Sequence, residues 1–288
     1  MIRVHIWGSR GSITSPGAST TKYGGNTACI QVVGYDDPLP GGASSRDNPQ
    51  VILDAGTGLT QLRSLLMAGP LGRGKGEAHI LLSHFHWDHL VGLPFFTPIF
   101  FKGNRIHFHG SEAQKVKASI ERLFTSVYSP IKGTENLAAD IEYHSLPEEP
   151  TQVAGFTVRC SPTNHPGGAM AIRLDYADRS LVYATDHEIG NSEIDSNLVA
   201  LARGTDLLVL DAQYDRNEIT SKVRWGHSSH MESVQLAVKA HARRVVLFHH
   251  DPAHDDRTLD RMGLEAQSNA QGSGIEVIVA KDGMLLDL

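Results

Sequence analysis

Three observations predict an α/β fold for this chain of 288 residues. Short apolar runs of strand length alternate with segments whose apolar residues recur at helical spacing. The residues best suited to chemistry stand at the C-terminal ends of those apolar runs, where the loops of an α/β sheet collect functional groups. These are Asp54 after Val51-Ile52-Leu53, His84 shortly after Ala78-His79-Ile80-Leu81-Leu82, Asp186 after Leu181-Val182-Tyr183-Ala184, and His249 after Val245-Val246-Leu247-Phe248. No low-complexity linker divides the sequence, so one large domain over residues 1–288 is expected.

The elements follow in order. Residues 1–6 alternate like a strand and lack the apolar core of a signal peptide. The polar stretch from Gly8 to Asn26 is a long loop, and residues 28–33 form a second strand. Residues 36–48, with Pro38, Pro40, Gly41 and Gly42, have turn chemistry and read as a mobile hairpin tip. Strands at 51–54 and 78–82 bracket a short helix at 59–67. A strand at 106–109 precedes an amphipathic helix at 111–124, where Val116, Ile120, Leu123 and Phe124 share a face. In the second half, strands are expected at 157–161, 171–174, 181–184, 207–210, 245–248 and 276–280. Helices are expected at 194–202, 231–242 and 259–270. Ser229 and Glu232 have the Ser-x-x-Glu spacing of a capping box at the start of the second of these.

Charge and cysteines narrow the class. Lys plus Arg number 26 against 32 Asp plus Glu, a net charge of −6 with no basic stripe. That argues against a surface that coats nucleic acid, which needs clustered Lys and Arg. Cys29 and Cys160 are the only cysteines, which suits a reducing compartment and buried, inert thiols. No apolar run approaches the ~20 residues of a membrane span. A cytoplasmic protein is expected, with no membrane partner; a homodimer is compatible with the sequence.

The chemistry concentrates in His84, His86, Asp88 and His89. Neutral imidazoles and a carboxylate suit zinc, manganese or iron, and the tight spacing lets one loop supply two adjacent ions. This loop resembles the His-x-His-x-Asp-His signature of the metallo-β-lactamase fold superfamily, with Asp54 before it and His165, Asp186 and His249 after it in that family's order. The resemblance implies an αββα sandwich of two mixed sheets with helices on the outer faces. It also implies two divalent metal ions: His84, His86 and His165 on one, Asp88, His89 and His249 on the other, and Asp186 bridging. Two such ions polarise a phosphoryl oxygen and lower the pKa of a bridging water, giving a hydroxide nucleophile. Asp88 is thereby a catalytic as well as a ligating residue. Asp54 is expected behind the ligands, accepting a hydrogen bond from an imidazole or from the loop backbone.

Gly226-His227-Ser228 narrows the branch, because it resembles the Gly-His-Ser motif of phosphodiesterases such as tRNase Z. His227 is the expected catalytic acid, since a leaving alkoxide needs a proton and imidazole delivers one near neutral pH. The amides of Ser228 and Ser229, opening a helix, are candidates for a phosphate oxygen. Trp7-Gly8-Ser9-Arg10-Gly11-Ser12 and Tyr23-Gly24-Gly25-Asn26-Thr27 resemble segments of tRNase Z-like and cyclic-nucleotide phosphodiesterase proteins, with Asn26 and Thr27 as candidate substrate contacts. His250 and His254 are further candidates, and His187 is a candidate to support the ligands or line the pocket. His5, His79, His107, His109, His144, His230 and His241 read as structural. Without a basic stripe or a tRNA-clasping arm, the expected activity is hydrolysis of a small cyclic phosphodiester, foremost cyclic AMP or cyclic GMP. The alternatives are a tRNase Z-like endoribonuclease, a thioesterase of the glyoxalase II kind, and a non-catalytic nucleotide sensor.

Overall fold

A computed structural model describes residues 1–35 and 48–288; the hairpin tip expected at 36–48 therefore falls, apart from Asn48, outside the described residues. The first sheet is built from β1 (Ile2–Gly8), β2 (Cys29–Gly34), β3 (Gln50–Leu53), β4 (Glu77–Leu81), β5 (Arg105–Gly110) and β6 (Asp140–Ser145). The second comprises β7 (Thr151–Val153), β8 (Phe156–Thr163), β9 (Ala169–Tyr176), β10 (Arg179–Ala184), β11 (Leu207–Asp211), β12 (Arg244–Phe248) and β13 (Glu276–Val279). A last strand, β14 (Met284–Asp287), returns to pair antiparallel with β1, giving orders β14-β1-β2-β3-β4-β5-β6 and β13-β12-β11-β10-β9-β8-β7. Strands β3 to β6 are mutually parallel, as are β10 to β13. The remaining pairs are antiparallel, so both sheets are mixed.

The sequence explains the layering. Strands covered on both faces are apolar throughout, as Gln50-Val51-Ile52-Leu53 nearly is and Leu207-Leu208-Val209-Leu210 is entirely. Val4, Ile6, Val32 and Leu53 of the first sheet share one core with Ile172, Leu174, Tyr183, Val209 and Phe248 of the second. On the outer face of the first sheet, α1 (Leu59–Met67) and α2 (Ala113–Leu123) cover Ile52, Ile80, Ile106 and Phe108. On the other, α3 (Ser192–Ala202), α4 (His230–Lys239) and α5 (Asp256–Asn269) cover Val182, Leu208, Leu210 and Val245. The result is the expected αββα sandwich.

The elements missed by periodicity are polar or very short. In β6, Asp140, Glu142 and His144 alternate with Ile141 and Tyr143, and no residue of the strand is fully buried. β7 has three residues, and β14 alternates between half-buried and exposed. Helix α4 begins at His230, where the Ser229 hydroxyl accepts from Glu232 N and the Glu232 carboxylate accepts from Ser229 N, so the capping box is formed. Helix α5 begins three residues before its apolar spacing because Asp255 caps the amide of Thr258 at 2.8 Å. No described helix is long and apolar enough to cross a membrane.

Leu174 lies fully buried between the sheets. Leu174→Ala should therefore reduce the unfolding free energy by about 2–5 kcal/mol in a denaturant titration. A loss of less than about 1 kcal/mol would show that the layer between the sheets is not the main source of stability.

Candidate metal centre

The strand ends are shaped for a site before any side chain is considered. Asp54 and His249 directly follow β3 and β12, Asp186 stands two residues past the end of β10, and their φ angles are 57°, 62° and 55°. A left-handed conformation costs an L-residue about 1–2 kcal/mol and persists where the surroundings over-determine it. In each case the strand stops abruptly and a side chain just past its end joins a common cluster.

Asp186 is at the centre. Its Oδ1 lies 3.7 Å from His84 Nε2 and 3.8 Å from His165 Nε2. Its Oδ2 lies 3.3 Å from both His89 Nε2 and His249 Nε2. On the first side, His165 Nε2 is 3.1 Å from His86 Nδ1. On the second, Asp88 Oδ2 is 3.1 Å from both His89 Nε2 and His249 Nε2. Two sets of donors thus meet a shared carboxylate. His84, His86 and His165 are spaced to hold one ion, and Asp88, His89 and His249 another.

The opposite nitrogen of each buried imidazole is engaged, which fixes the ring and leaves the facing nitrogen for the cluster. His89 Nδ1 donates to Asp54 at 2.7 Å, and His249 Nδ1 donates to the side chain of Gln213 at 2.9 Å. His165 Nδ1 donates to the Gly226 carbonyl at 3.0 Å. His84 Nδ1 donates to Ser83 Oγ at 3.1 Å, and that hydroxyl passes its own proton to Asp54 at 2.7 Å. Asp54 also accepts from the amide of Ser83 and from the Tyr183 hydroxyl, both at 2.7 Å, so one carboxylate organises the loop and ties the two sheets together. Gly226 is required sterically: φ is 88°, and a Cβ there would stand 2.0 Å from His165 Nδ1.

Electrostatics favour a cation. Burial opposes charge on His89, but Asp88, Asp186 and Asp54 outweigh it and raise its pKa well above the usual histidine value. Burial and the neighbouring His89 push His84 well below that value, and His84 Nε2 is a buried nitrogen with no hydrogen-bond partner among the described residues. Imidazole nitrogens facing buried carboxylates, with one of them orphaned, are satisfied by a divalent ion; nitrogen and oxygen donors of this kind suit zinc or manganese.

His227 sits beside the cluster, its ring stacked 4.9 Å from that of His249. Its Nδ1 donates to Asp211 Oδ2 at 2.7 Å, which leaves Nε2 as the nitrogen available to a substrate. Burial disfavours the charged ring, yet Asp211, Asp186 and Asp88 prevail and lift its pKa to about 9. Asp211 also accepts from the amides of Asp186, Gln213 and Ser228. Neither Asp211 nor Gln213 was anticipated. The available signal was position: Asp211 ends β11 as Asp54, Asp186 and His249 follow their strands.

The other expected contacts are hydrogen-bonded to neighbouring residues. Thr27 is buried, its hydroxyl donating to the Asp88 carbonyl at 2.7 Å, so it supports the loop from behind. Asn26 is held by Asp282 and Thr57. Ser228 is buried between the His187 carbonyl and the Ile189 amide, and its own amide is taken by Asp211. The Ser229 amide is taken by the capping box. His250 is buried, donates to the Ala280 carbonyl and is pushed down to about 3 by desolvation. His254 is buried against Glu218, and His187 is enclosed by Asn164 and Asp195. Of the residues expected at the substrate, Thr27, Ser228, His250 and His254 are buried and Asn26 is half-buried. His86 and Trp87, on the metal loop itself, are exposed.

Comparison with known proteins agrees with this geometry. The sequence profile of the beta-lactamase superfamily domain matches residues 50–250. The protein Rv1339 of Mycobacterium tuberculosis is 27% identical over 230 residues, covering 77% of each chain. A diphosphatase of the PhnP family has a similar fold, with a TM-score of 0.66 and 20% identity over 100% of this chain and 98% of that one. The short form of human tRNase Z gives 0.63 and 17% identity over 99% of this chain and 98% of that one. The chain belongs to the metallo-β-lactamase-fold superfamily of hydrolases.

Because Asp54 orients His89 and anchors the loop, Asp54→Ala should weaken zinc or manganese binding by about 10–100-fold, as losses behind a ligand do. Competition with a chromogenic chelator measures this. Unchanged affinity would reduce Asp54 to a turn residue.

Proposed function

We propose that this metallo-β-lactamase-fold hydrolase is a dinuclear metal-dependent phosphodiesterase acting on a small cyclic phosphodiester, foremost a 3′,5′-cyclic nucleotide such as cyclic AMP or cyclic GMP. The observation that carries the reading is the Asp211–His227 pair set against the seven-residue cluster. His84, His86 and His165 would hold one ion, Asp88, His89 and His249 the second, and Asp186 both. Bound there, divalent ions supply Lewis acidity toward a phosphoryl group and an activated water at neutral pH.

The remaining work falls to the chain's own residues. Asp211 keeps the Nδ1 proton of His227 in place, so any second proton resides on Nε2, on the side open to substrate. The carboxylates around it hold that proton near neutrality, and nearby cations would draw the pKa down from about 9 toward the working range of an acid. His227 thus donates to the ribose oxygen as it leaves phosphorus. Ser12 contributes by holding Asp88 in place through its amide at 2.8 Å.

Size and charge favour a mononucleotide. A cavity of about 400 Å³ adjoins His84 and is lined by Phe85, Lys115, Cys160 and Met170, within the usual volume of small-molecule sites. Trp87 and Trp225, next to His86 and Gly226, are 60% and 57% exposed and offer faces on which a base can stack. The net charge of −6 disfavours a long polyanion. A tRNase Z-like activity is the second reading, favoured by the Gly226-His227-Ser228 motif and the shared fold. Cys29 and Cys160 are both free, which fits action in the reducing cytoplasm.

Catalytic efficiency on cyclic AMP should exceed that on a precursor tRNA at equal metal and salt. Efficient 3′-trailer removal with negligible cyclic-nucleotide turnover would reverse the order. Turnover of bis-(p-nitrophenyl) phosphate tests the class: none with zinc or manganese present would leave the thioesterase and sensor readings.

His227→Ala should retain its metals while the rate on an unactivated diester falls about 10²–10⁴-fold, the usual worth of a positioned acid. The loss on a p-nitrophenyl ester should be smaller, because its leaving group needs little protonation. Asp211→Asn should show the same asymmetry. Equal losses on both substrates would contradict the acid role and leave simple phosphate binding.

A further inference from the structure

A second histidine cluster lies on the inner face of the first sheet, on β4, β5 and β6, and shares no residue with the strand-end site. The register aligns His79 with His107 and Glu142, and one rung further on, Leu81 with His109 and His144. The His79 and His107 rings stack at 4.4 Å, as do those of His109 and His144 at 4.7 Å. Read from sequence alone, these histidines are structural residues scattered over three strands. The parallel pairing brings them together.

We propose that Glu77, His79 and His107 form a further binding site for a divalent transition metal, zinc by preference. Tetrahedral donors on one zinc stand about 3.3 Å apart for bonds of about 2.0–2.1 Å. Glu77 Oε1 is 2.9 Å from His79 Nε2 and 3.4 Å from His107 Nε2. The three side chains are 23%, 11% and 11% exposed, so the group is largely enclosed. His107 Nε2 is a buried nitrogen with no hydrogen-bond partner among the described residues, and it faces this carboxylate.

What distinguishes this from a chance grouping is the layer behind it. Each candidate ligand has its other polar atom fixed, as bound metal ligands do. His79 Nδ1 is 3.1 Å from His109 Nε2, and His107 Nδ1 is 3.1 Å from His144 Nε2. The second carboxylate oxygen of Glu77 is held by Arg105. His109 and His144 can thus receive the protons that the two ligand rings carry on Nδ1 when Nε2 binds metal. Glu142, which approaches His107 Nδ1 and His144 at 3.5 Å, is 56% exposed and completes this outer layer. The ion would bind β4 to β5 near the edge strand β6, whose own burial is poor.

The test compares metal uptake by the full-length protein and its variants. After chelation and zinc titration, the wild type should bind one equivalent more than His107→Ala and one more than Glu77→Gln. Both variants should keep wild-type turnover of bis-(p-nitrophenyl) phosphate at saturating zinc. Cobalt titration should show the same difference as a missing set of d–d absorption bands. Because the reading is a difference, it holds whatever number of ions the Asp186 cluster binds. Equal uptake by all three proteins overturns the site, as does loss of the equivalent together with turnover. Should His107→Ala fail to fold, Glu77→Gln decides the matter.

Discussion

The site depends on one carboxylate placed between two sets of imidazoles. Asp186 offers Oδ1 to His84 and His165 and Oδ2 to His89 and His249. Neither set can adopt its spacing unless the two sheets are in register, because the first ligands hang from β4 and the others from β9, β10 and β12 or their loops. The sandwich core sets that register, and the hydrogen bond from Tyr183 to Asp54 repeats it at the site itself. Left-handed backbone at Asp54, Asp186 and His249 is the local cost of ending three strands at one point.

Around the ligands runs a second set of groups that sets proton positions. Asp54, Gln213, Ser83 and the Gly226 carbonyl each accept from the outward nitrogen of one imidazole. Asp211 does the same for His227, and its three backbone contacts keep it from moving with the proton. Chemistry and support are thus divided between different carboxylates. Asp186 and Asp88 face the cluster, while Asp54 and Asp211 hold tautomers behind it.

What could be read from sequence followed how locally it was encoded. His84, His86, Asp88 and His89 share one loop, and their spacing is itself the evidence. His165, Asp186 and His249 were legible through the order of a familiar set, and the structure brings them to the same point. Asp211 and Gln213 carry no motif; their roles come from β11 lying between β10 and β12. Thr27 and Ser228, expected at the substrate, lie buried with their hydroxyls on neighbouring carbonyls; a glycine-rich or helix-opening segment has the same composition whether it touches a ligand or braces a loop. The histidines of β4, β5 and β6 were separated by dozens of residues, and only parallel pairing makes them neighbours. Strand β6 itself was invisible to periodicity because its inward side chains are polar.

The most direct measurement is an anomalous difference map from crystals of the protein grown with zinc or manganese. Two peaks about 3.5–4 Å apart, one on each side of the Asp186 carboxylate, are expected of a dinuclear hydrolase. One set should be contacted by His84, His86 and His165 and the other by Asp88, His89 and His249. A single peak beside Asp186, or full occupancy with Asp186 turned away from both ions, would contradict the account.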